Sequence, residues 1–238
     1  MNKASLVTMV DDSGEEDERR EYASPACFVH ETDPVYSGLS AVTVTGQREN
    51  IIRWRKVERA RLIALRLAIT AQERADRALR IATRLEALFP ALAGCAISLY
   101  WPFRGEPDLR DWADRISTGG AICALPVVVE MNAPLVFRTW RPGEPLARGV
   151  WNIPVPAGGA EVIPDVVIAP VVGFDHQGYR LGYGGGFFDR TLAAFVRKPR
   201  VIGVGYDEAS IPTIYPLPHD VPMDTIVTPE AIIQRAAD

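Results

Sequence analysis

The residues whose types and spacing speak most directly of chemistry are Gly182, Gly184, Gly185 and Gly186, gathered around Tyr183. Lacking Cβ atoms, they let the backbone take positive φ angles and bring its N–H groups close to phosphate oxygens. The run sits in IPDVVIAPVVGFDHQGYRLGYGGGFFDRTL (163–192), where an apolar strand-like stretch leads in and Phe188, Leu192 and Phe195 lead out at helical spacing. A glycine loop at a helix start is a natural anion site. No Gly-Lys-Ser/Thr follows, so this is not the P-loop pattern, and a bare glycine cluster equally describes a flexible turn or a tight packing corner. Asp189, on the first turn beyond the loop, could bind a magnesium ion bridging phosphate oxygens, or could be an acid favoured there by the helix dipole.

A second set lies upstream. Arg55 and Arg59 are four apart in RWRKVERAR, so on a helix they share a face and can converge on a polyphosphate. The same residues also fit a solvated basic helix face.

Those groups need a scaffold, and 238 residues with 47% hydrophobic content suffice for one substantial core. A net charge of -4 gives no broad basic field of the kind that drives nucleic-acid binding, so small acidic or neutral ligands are expected; the sequence does not disclose protein partners. No apolar run reaches the roughly 18 residues of a membrane span. The opening MNKASLVTMV turns acidic at Asp11 before a signal-peptide core develops, so a cytoplasmic protein is expected. Cys27, Cys95 and Cys123 are odd in number and scattered, which fits a reducing compartment. Cys27 and His30 have a spacing that two metal ligands could use, but no further pair completes a zinc site.

Along the chain, DDSGEEDERRE (11–21) holds seven acids, two arginines and no apolar residue, so residues 1–21 read as a solvated, disordered tail. Residues 22–47 regain apolar side chains between prolines and read as an irregular N-terminal arm, ahead of one α/β domain over 48–238. From Glu49 to Leu88 the pattern is helical, and Thr70-Ala71-Gln72-Glu73 has the spacing of a capping box, which divides it into two helices ending at Pro90. Short β-rich runs follow at 95–100, 122–130, 135–139, 166–170, 201–206 and 225–227. Their apolar middles are those of strands covered on both faces, which predicts a three-layer α/β sandwich with a mostly parallel central sheet flanked by helices.

The stretch FDHQGYRLGYGGGFFDR resembles the nucleotide loop of 5-formyltetrahydrofolate cyclo-ligases, whose usual form reads FD, two or three residues, then RLGxGxGYYD. The likeness runs from about residue 51 to 230 and takes in the helices, the strands and HDVPMDTIVT near the C-terminus. It implies ATP and a reduced folate as substrates, magnesium as cofactor, and closure of the N5-formyl group into a 5,10-methenyl bridge with release of ADP and phosphate. Nucleotide contacts would fall on Arg55, Lys56, Arg59, Arg180, Leu181, Gly182, Tyr183, Gly184, Gly185, Gly186, Phe187 and Phe188. Metal ligands would be Asp189 and Asp224, and Arg180, Tyr183 and Asp189 would act in catalysis.

The same resemblance places the folate on Trp101, Glu106, Met131, Trp140, Tyr183 and Phe187. In Tyr100-Trp101-Pro102-Phe103-Arg104-Gly105-Glu106-Pro107-Asp108 the aromatic walls suit a flat pterin and the carboxylate can accept its N–H groups. Equally, Trp101 and Phe103 could be core and Glu106 or Asp108 could open the next helix, while Met131 and Trp140 could be core filling. Near the C-terminus Asp220 could cap a turn. Four departures stand out: Arg55 where the family has lysine, Phe187 and Phe188 for the paired tyrosines, and Val155 for a glutamate. Phe187, Phe188 and Val155 leave a folate- or nucleotide-binding regulator as an alternative to the enzyme. A sugar-phosphate isomerase or CoA-transferase-like protein could share the architecture alone.

Overall fold

A computed structural model describes residues 41–235; the acidic segment 1–21, most of the expected arm and the Cys27/His30 pair lie outside the described residues. The first helix, α1 (Ala41–Ala68), starts at Ala41 rather than at Glu49, within the stretch read as arm. Thr70 separates it from α2 (Ala71–Leu88) by capping: its Oγ1 accepts from the N–H of Glu73 at 3.2 Å. Half of the capping box forms, because the Glu73 carboxylate turns forward to Arg77 at 2.6 Å.

Beyond α2 the chain runs through β1 (Ala96–Ser98), α3 (Arg110–Thr118), β2 (Ile122–Val127), β3 (Val136–Thr139), β4 (Leu146–Arg148) and β5 (Pro154–Pro156). It continues as β6 (Val166–Pro170), β7 (Gly173–Phe174), β8 (Arg180–Leu181), α4 (Phe187–Ala194), β9 (Arg200–Val204), β10 (Thr225–Val227) and β11 (Ile232–Gln234). Seven strands form one sheet in the order β11-β10-β9-β6-β1-β2-β3. Its five inner strands are parallel, while β3 and β11 close the edges antiparallel. The pairs β4–β5 and β7–β8 are separate antiparallel ribbons.

Alternation along the strands explains the layers. Val166, Ile168, Ile202 and Val204 face one side, where Ile81 and Leu85 of α2 and Trp112 and Ile116 of α3 cover them. Val167 and Val201 face the other, against Leu192 of α4 and Phe174. Both faces are apolar, hence the uninterrupted runs. This is the α/β sandwich that the sequence predicts.

Helix α1 has a different task. Arg55, Arg59, Leu62 and Arg66 follow one another at intervals of four, three and four, so one stripe of the helix carries them all. Leu62 packs on Val172, Leu181 and Ile214 beyond the carboxyl end of β6, the end at which open α/β sheets bind ligands. The stripe therefore holds three arginines against that edge. Among the described residues no helix is long and apolar enough to cross a membrane.

Candidate active site

The glycine loop leaves β8 and opens α4. Gly184 at φ 98° and Gly186 at φ 61° use the left-handed region that glycine enters without strain. Arg59 Nε donates to the Gly182 carbonyl at 2.7 Å, and Arg190 Nη2 donates to the Gly185 carbonyl. With those carbonyls held, the N–H groups of Gly184, Gly185 and Gly186 donate to no described residue, as an anion nest at a helix start requires. The Arg190 guanidinium also stacks 5.1 Å from the Phe187 ring centroid, and burial lowers its pKa. Arg180, buried, lies 5.4 Å from the Phe188 ring and pairs with Asp189 Oδ1 at 3.1 Å; that oxygen also accepts from Val221 N at 3.1 Å.

Tyr183 carries the loop to a second cluster. Its hydroxyl accepts from Arg66 Nη2 and donates to the Phe103 carbonyl at 3.3 Å. Arg104 and Gly105 turn with φ of 47° and 75°, which brings the Arg104 carbonyl to Arg66 Nε at 2.9 Å and that of Gly105 to the Tyr206 hydroxyl at 3.2 Å. Inside this turn Glu106 is buried. Its Oε2 accepts from Phe103 N at 2.9 Å, whereas Oε1 has no hydrogen-bond donor and its cation, Arg66, stands 3.9 Å away. Burial pushes the Glu106 carboxyl up to about 7, with the Arg66 charge and hydrogen bonds from Phe103 N and the Tyr183 hydroxyl opposing the shift only in part. Burial and the Glu106 charge also raise Tyr183.

Beside the cluster, Trp101 meets Trp140 edge-on at 5.9 Å and Arg110 covers Trp101 at 4.9 Å. Trp140 borders an open cleft of about 430 Å³ with Thr139, Glu144, Pro145, Pro156 and Gly158. Through Tyr183 the glycine loop thus meets the turn that carries the buried Glu106 carboxylate.

A sequence profile described as the 5-formyltetrahydrofolate cyclo-ligase family matches residues 51–229. The chain belongs to the 5-formyltetrahydrofolate cyclo-ligase family. It is similar to the 5-formyltetrahydrofolate cyclo-ligase of Escherichia coli K12, 29% identical over 174 residues, covering 70% of this chain and 96% of that protein. With the cyclo-ligase of Mycolicibacterium smegmatis it shares 35% identity over 147 residues, 58% of this chain and 76% of the relative. The solved 5,10-methenyltetrahydrofolate synthetase of Aquifex aeolicus superposes with a TM-score of 0.68 at 25% identity, covering 77% of this chain and 94% of that one.

Against the cyclo-ligase expectations, the structure gathers Arg59, Arg180, Tyr183, the glycines, Phe187, Phe188 and Asp189 at the loop, with Glu106 adjoining through Arg66. Leu181 is buried against α1 and serves packing. Three residues land elsewhere. Arg55 gives its guanidinium to Asp220 Oδ2 at 2.5 Å and to the carbonyls of Ile214 at 3.0 Å and Tyr215 at 2.8 Å, so it clamps the C-terminal segment; Asp220 in turn caps Leu217 N at 2.6 Å. Lys56, the neighbour that could replace it, is exposed. Met131 falls in the turn between β2 and β3, 46% exposed, because β2 ends at Val127 instead of reaching 130.

Asp224 is the third. Its Oδ2 accepts from Val201 N at 2.7 Å at the amino end of β9 and β10, the sheet edge opposite the glycine loop. No group of three or more His, Cys, Asp or Glu among the described residues could hold a metal ion. Magnesium commonly uses one or two carboxylates and completes its shell with phosphate and water. Asp189 stands at the loop with its Oδ1 on Arg180 and Val221 N, while Asp224 Oδ2 accepts from Val201 N. Sequence reading passed over Arg66 and Arg190. The signal for Arg66 was its place eleven residues after Arg55 and seven after Arg59, on the same stripe.

Proposed function

We infer that the chain catalyses ATP-dependent cyclisation of 5-formyltetrahydrofolate to 5,10-methenyltetrahydrofolate, releasing ADP and phosphate. The observation that carries this reading is the Tyr183 hydroxyl, which joins the phosphate-ready loop to the Phe103–Glu106 turn and so puts an anion site beside a carboxylate suited to a pterin. The formyl oxygen attacks the γ-phosphorus, ADP leaves with the bridging oxygen, N10 then attacks the activated carbon, and phosphate departs with the former formyl oxygen as N10 loses its proton to it or to water. No covalent nucleophile is needed, so the protein positions groups and offsets charge.

The roles follow from what each side chain can do. The amides of residues 184–186 take phosphate oxygens, and Arg59 and Arg190 hold the loop carbonyls out of the way. Arg180 supplies buried positive charge beside the loop. Glu106 accepts the pterin N–H groups on the oxygen that has no donor, and the Trp101/Trp140 edge bounds the ring. Asp189 would hold a magnesium ion brought by the nucleotide, and such an ion would neutralise charge on the γ-phosphate. We place the reaction in the cytoplasm, with reduced folate and ATP as partners and no nucleic acid. The decisive test is ADP release dependent on 5-formyltetrahydrofolate, followed together with methenyl absorbance. Binding of both ligands without ADP formation would favour the regulator.

A further inference from the structure

Arg66 occupies a position that neither substrate site by itself requires. Its side chain is 6% exposed, and its three nitrogens reach three different pieces of chain. Nε holds the Arg104 carbonyl at 2.9 Å in the turn that carries Glu106, Nη1 holds the Val171 carbonyl at 3.4 Å at the end of β6, and Nη2 holds Tyr183 of the glycine loop. The guanidinium also lies 5.6 Å from the Tyr183 ring centroid. Toward Glu106 Oε1 it stops at 3.9 Å, beyond hydrogen-bond reach, and the Tyr183 hydroxyl is the other group that interacts with the carboxylate.

We propose that Arg66 is a positioning residue that couples the two substrates: by holding Tyr183 and facing Glu106 with one rigid guanidinium, it makes loading of the folate carboxylate and ordering of the nucleotide loop mutually favourable. This rests on the functional reading above. The guanidinium is planar and its donors are fixed in one fork, so it cannot close on Glu106 without altering what it offers Tyr183. A ligand that donates to Glu106 fixes the carboxylate as an anion and draws the fork toward it. Tyr183 moves with the fork, or is fixed by it, and the amides of residues 184–186 follow because Tyr183 lies next to them in the chain. Linkage makes the effect reciprocal: nucleotide on the loop prepares Glu106 by the same factor.

The test is calorimetry on the full chain. Affinity for a non-hydrolysable ATP analogue is measured with and without saturating 5-formyltetrahydrofolate, in the wild type, in Arg66→Lys and in Tyr183→Phe. Lysine keeps the charge but cannot serve Tyr183, Arg104 and Glu106 together; phenylalanine keeps the ring and removes only the hydroxyl. The wild-type protein is expected to bind the analogue at least about five-fold more tightly when folate is present, within the usual range of coupling between sites. In both variants that ratio falls toward one, whatever the affinity of each variant for either ligand alone. Should Arg66→Lys fail to fold, Tyr183→Phe carries the test alone. A wild-type ratio of one in a protein that still turns over overturns the inference and leaves the cyclo-ligase reading intact. A ratio that survives in the folded variants also overturns it, since the coupling then comes from direct contact between the substrates. Absence of any binding by the wild type strikes the functional reading instead.

Discussion

Two buried arginines on one stripe of α1 meet very different fates. Arg55 and Arg66 are eleven residues apart, about 20° from three full turns, so they point the same way from the helix. Arg55 lies against Asp220 with a 2.5 Å contact and two further backbone carbonyls, and the side chains of both partners are nearly sealed from water, at 7% and 8% exposure. Arg66 faces Glu106 at 3.9 Å and spends its hydrogen bonds on the Arg104 turn, the Val171 carbonyl at the end of β6 and Tyr183 of the glycine loop. The first arrangement is complete and therefore structural. The second is looser: a buried carboxylate oxygen to which no described residue donates in good geometry is open to an ordered water or a ligand.

Breaking the complete pair should have the largest effect. Arg55→Met leaves Asp220 buried without its cation, which in comparable pairs costs about 3 to 5 kcal/mol. A large fall in melting temperature is expected, with nucleotide affinity of the remaining folded protein close to wild type. If stability holds and ATP binding collapses, Arg55 is a phosphate ligand after all.

The looser pair should respond the other way. Glu106→Gln removes a desolvated charge, so stability should not fall, while kcat/KM for 5-formyltetrahydrofolate should drop roughly 10- to 100-fold, the scale of a charge-assisted hydrogen bond. The same carboxyl sets a pH dependence. Its pKa is raised from 4.5 to about 7, so if this carboxylate accepts the pterin N–H groups as proposed, the accepting form is depleted as pH falls below about 7, and kcat/KM for folate should fall with it. Stability has the opposite sign. A group whose folded pKa is raised contributes fully below 4.5 and loses that contribution as pH rises through about 7. The groups that charge Glu106 or are charged by it are Arg66, Tyr183, Tyr100 and Tyr206, and the three tyrosines are all pushed above 10. Only the carboxyl titrates in this window, so Glu106→Gln should flatten both profiles.

A smaller effect is expected at the loop itself. A Cβ on Gly185 would lie 2.8 Å from Cδ2 and 2.9 Å from Cε2 of Phe187, the ring on which Arg190 stacks. Gly185→Val should therefore weaken nucleotide affinity several-fold, read by calorimetry, with little change in folate affinity measured alone. An equal loss for both ligands would mean global damage.

The strand runs were legible in the sequence because both faces of the sheet are apolar; 166–170 and 225–227 hold to the residue. The ribbons β4–β5 and β7–β8 were not, since strands of two or three residues, built partly from Pro154, Pro156 and Gly173, give no period to read. The glycine run was visible in the sequence, but only its resemblance to the cyclo-ligase motif set it apart from a flexible turn. What stayed hidden is which arginine each carboxylate takes: Asp220 and Asp224 sit four apart in one segment, and only the fold sends one to Arg55 and the other to Val201. Arg66 was hidden for the same reason, as an arginine between two leucines in a helix whose partners lie 38 to 117 residues away.

The smallest expected effect separates Asp224 from Asp189. Asp224→Asn keeps an oxygen that can accept from Val201 N, so at most about 1 kcal/mol of stability should be lost, the net worth of one hydrogen bond. Because its carboxylate faces the amino end of β9, away from the loop, the magnesium concentration giving half-maximal ADP formation should not move. Asp189→Asn is the control: it removes the carboxylate beside the loop and weakens the tie to Arg180, so turnover should fall and recover in part at high magnesium. Since the two sites share no partner, the double variant should show the sum of the two effects within a few tenths of a kcal/mol. If Asp224→Asn shifts the magnesium requirement, or if the double variant costs clearly less than the sum, the two aspartates act on one ion. The loop edge of the site must then close onto β10 when the nucleotide binds.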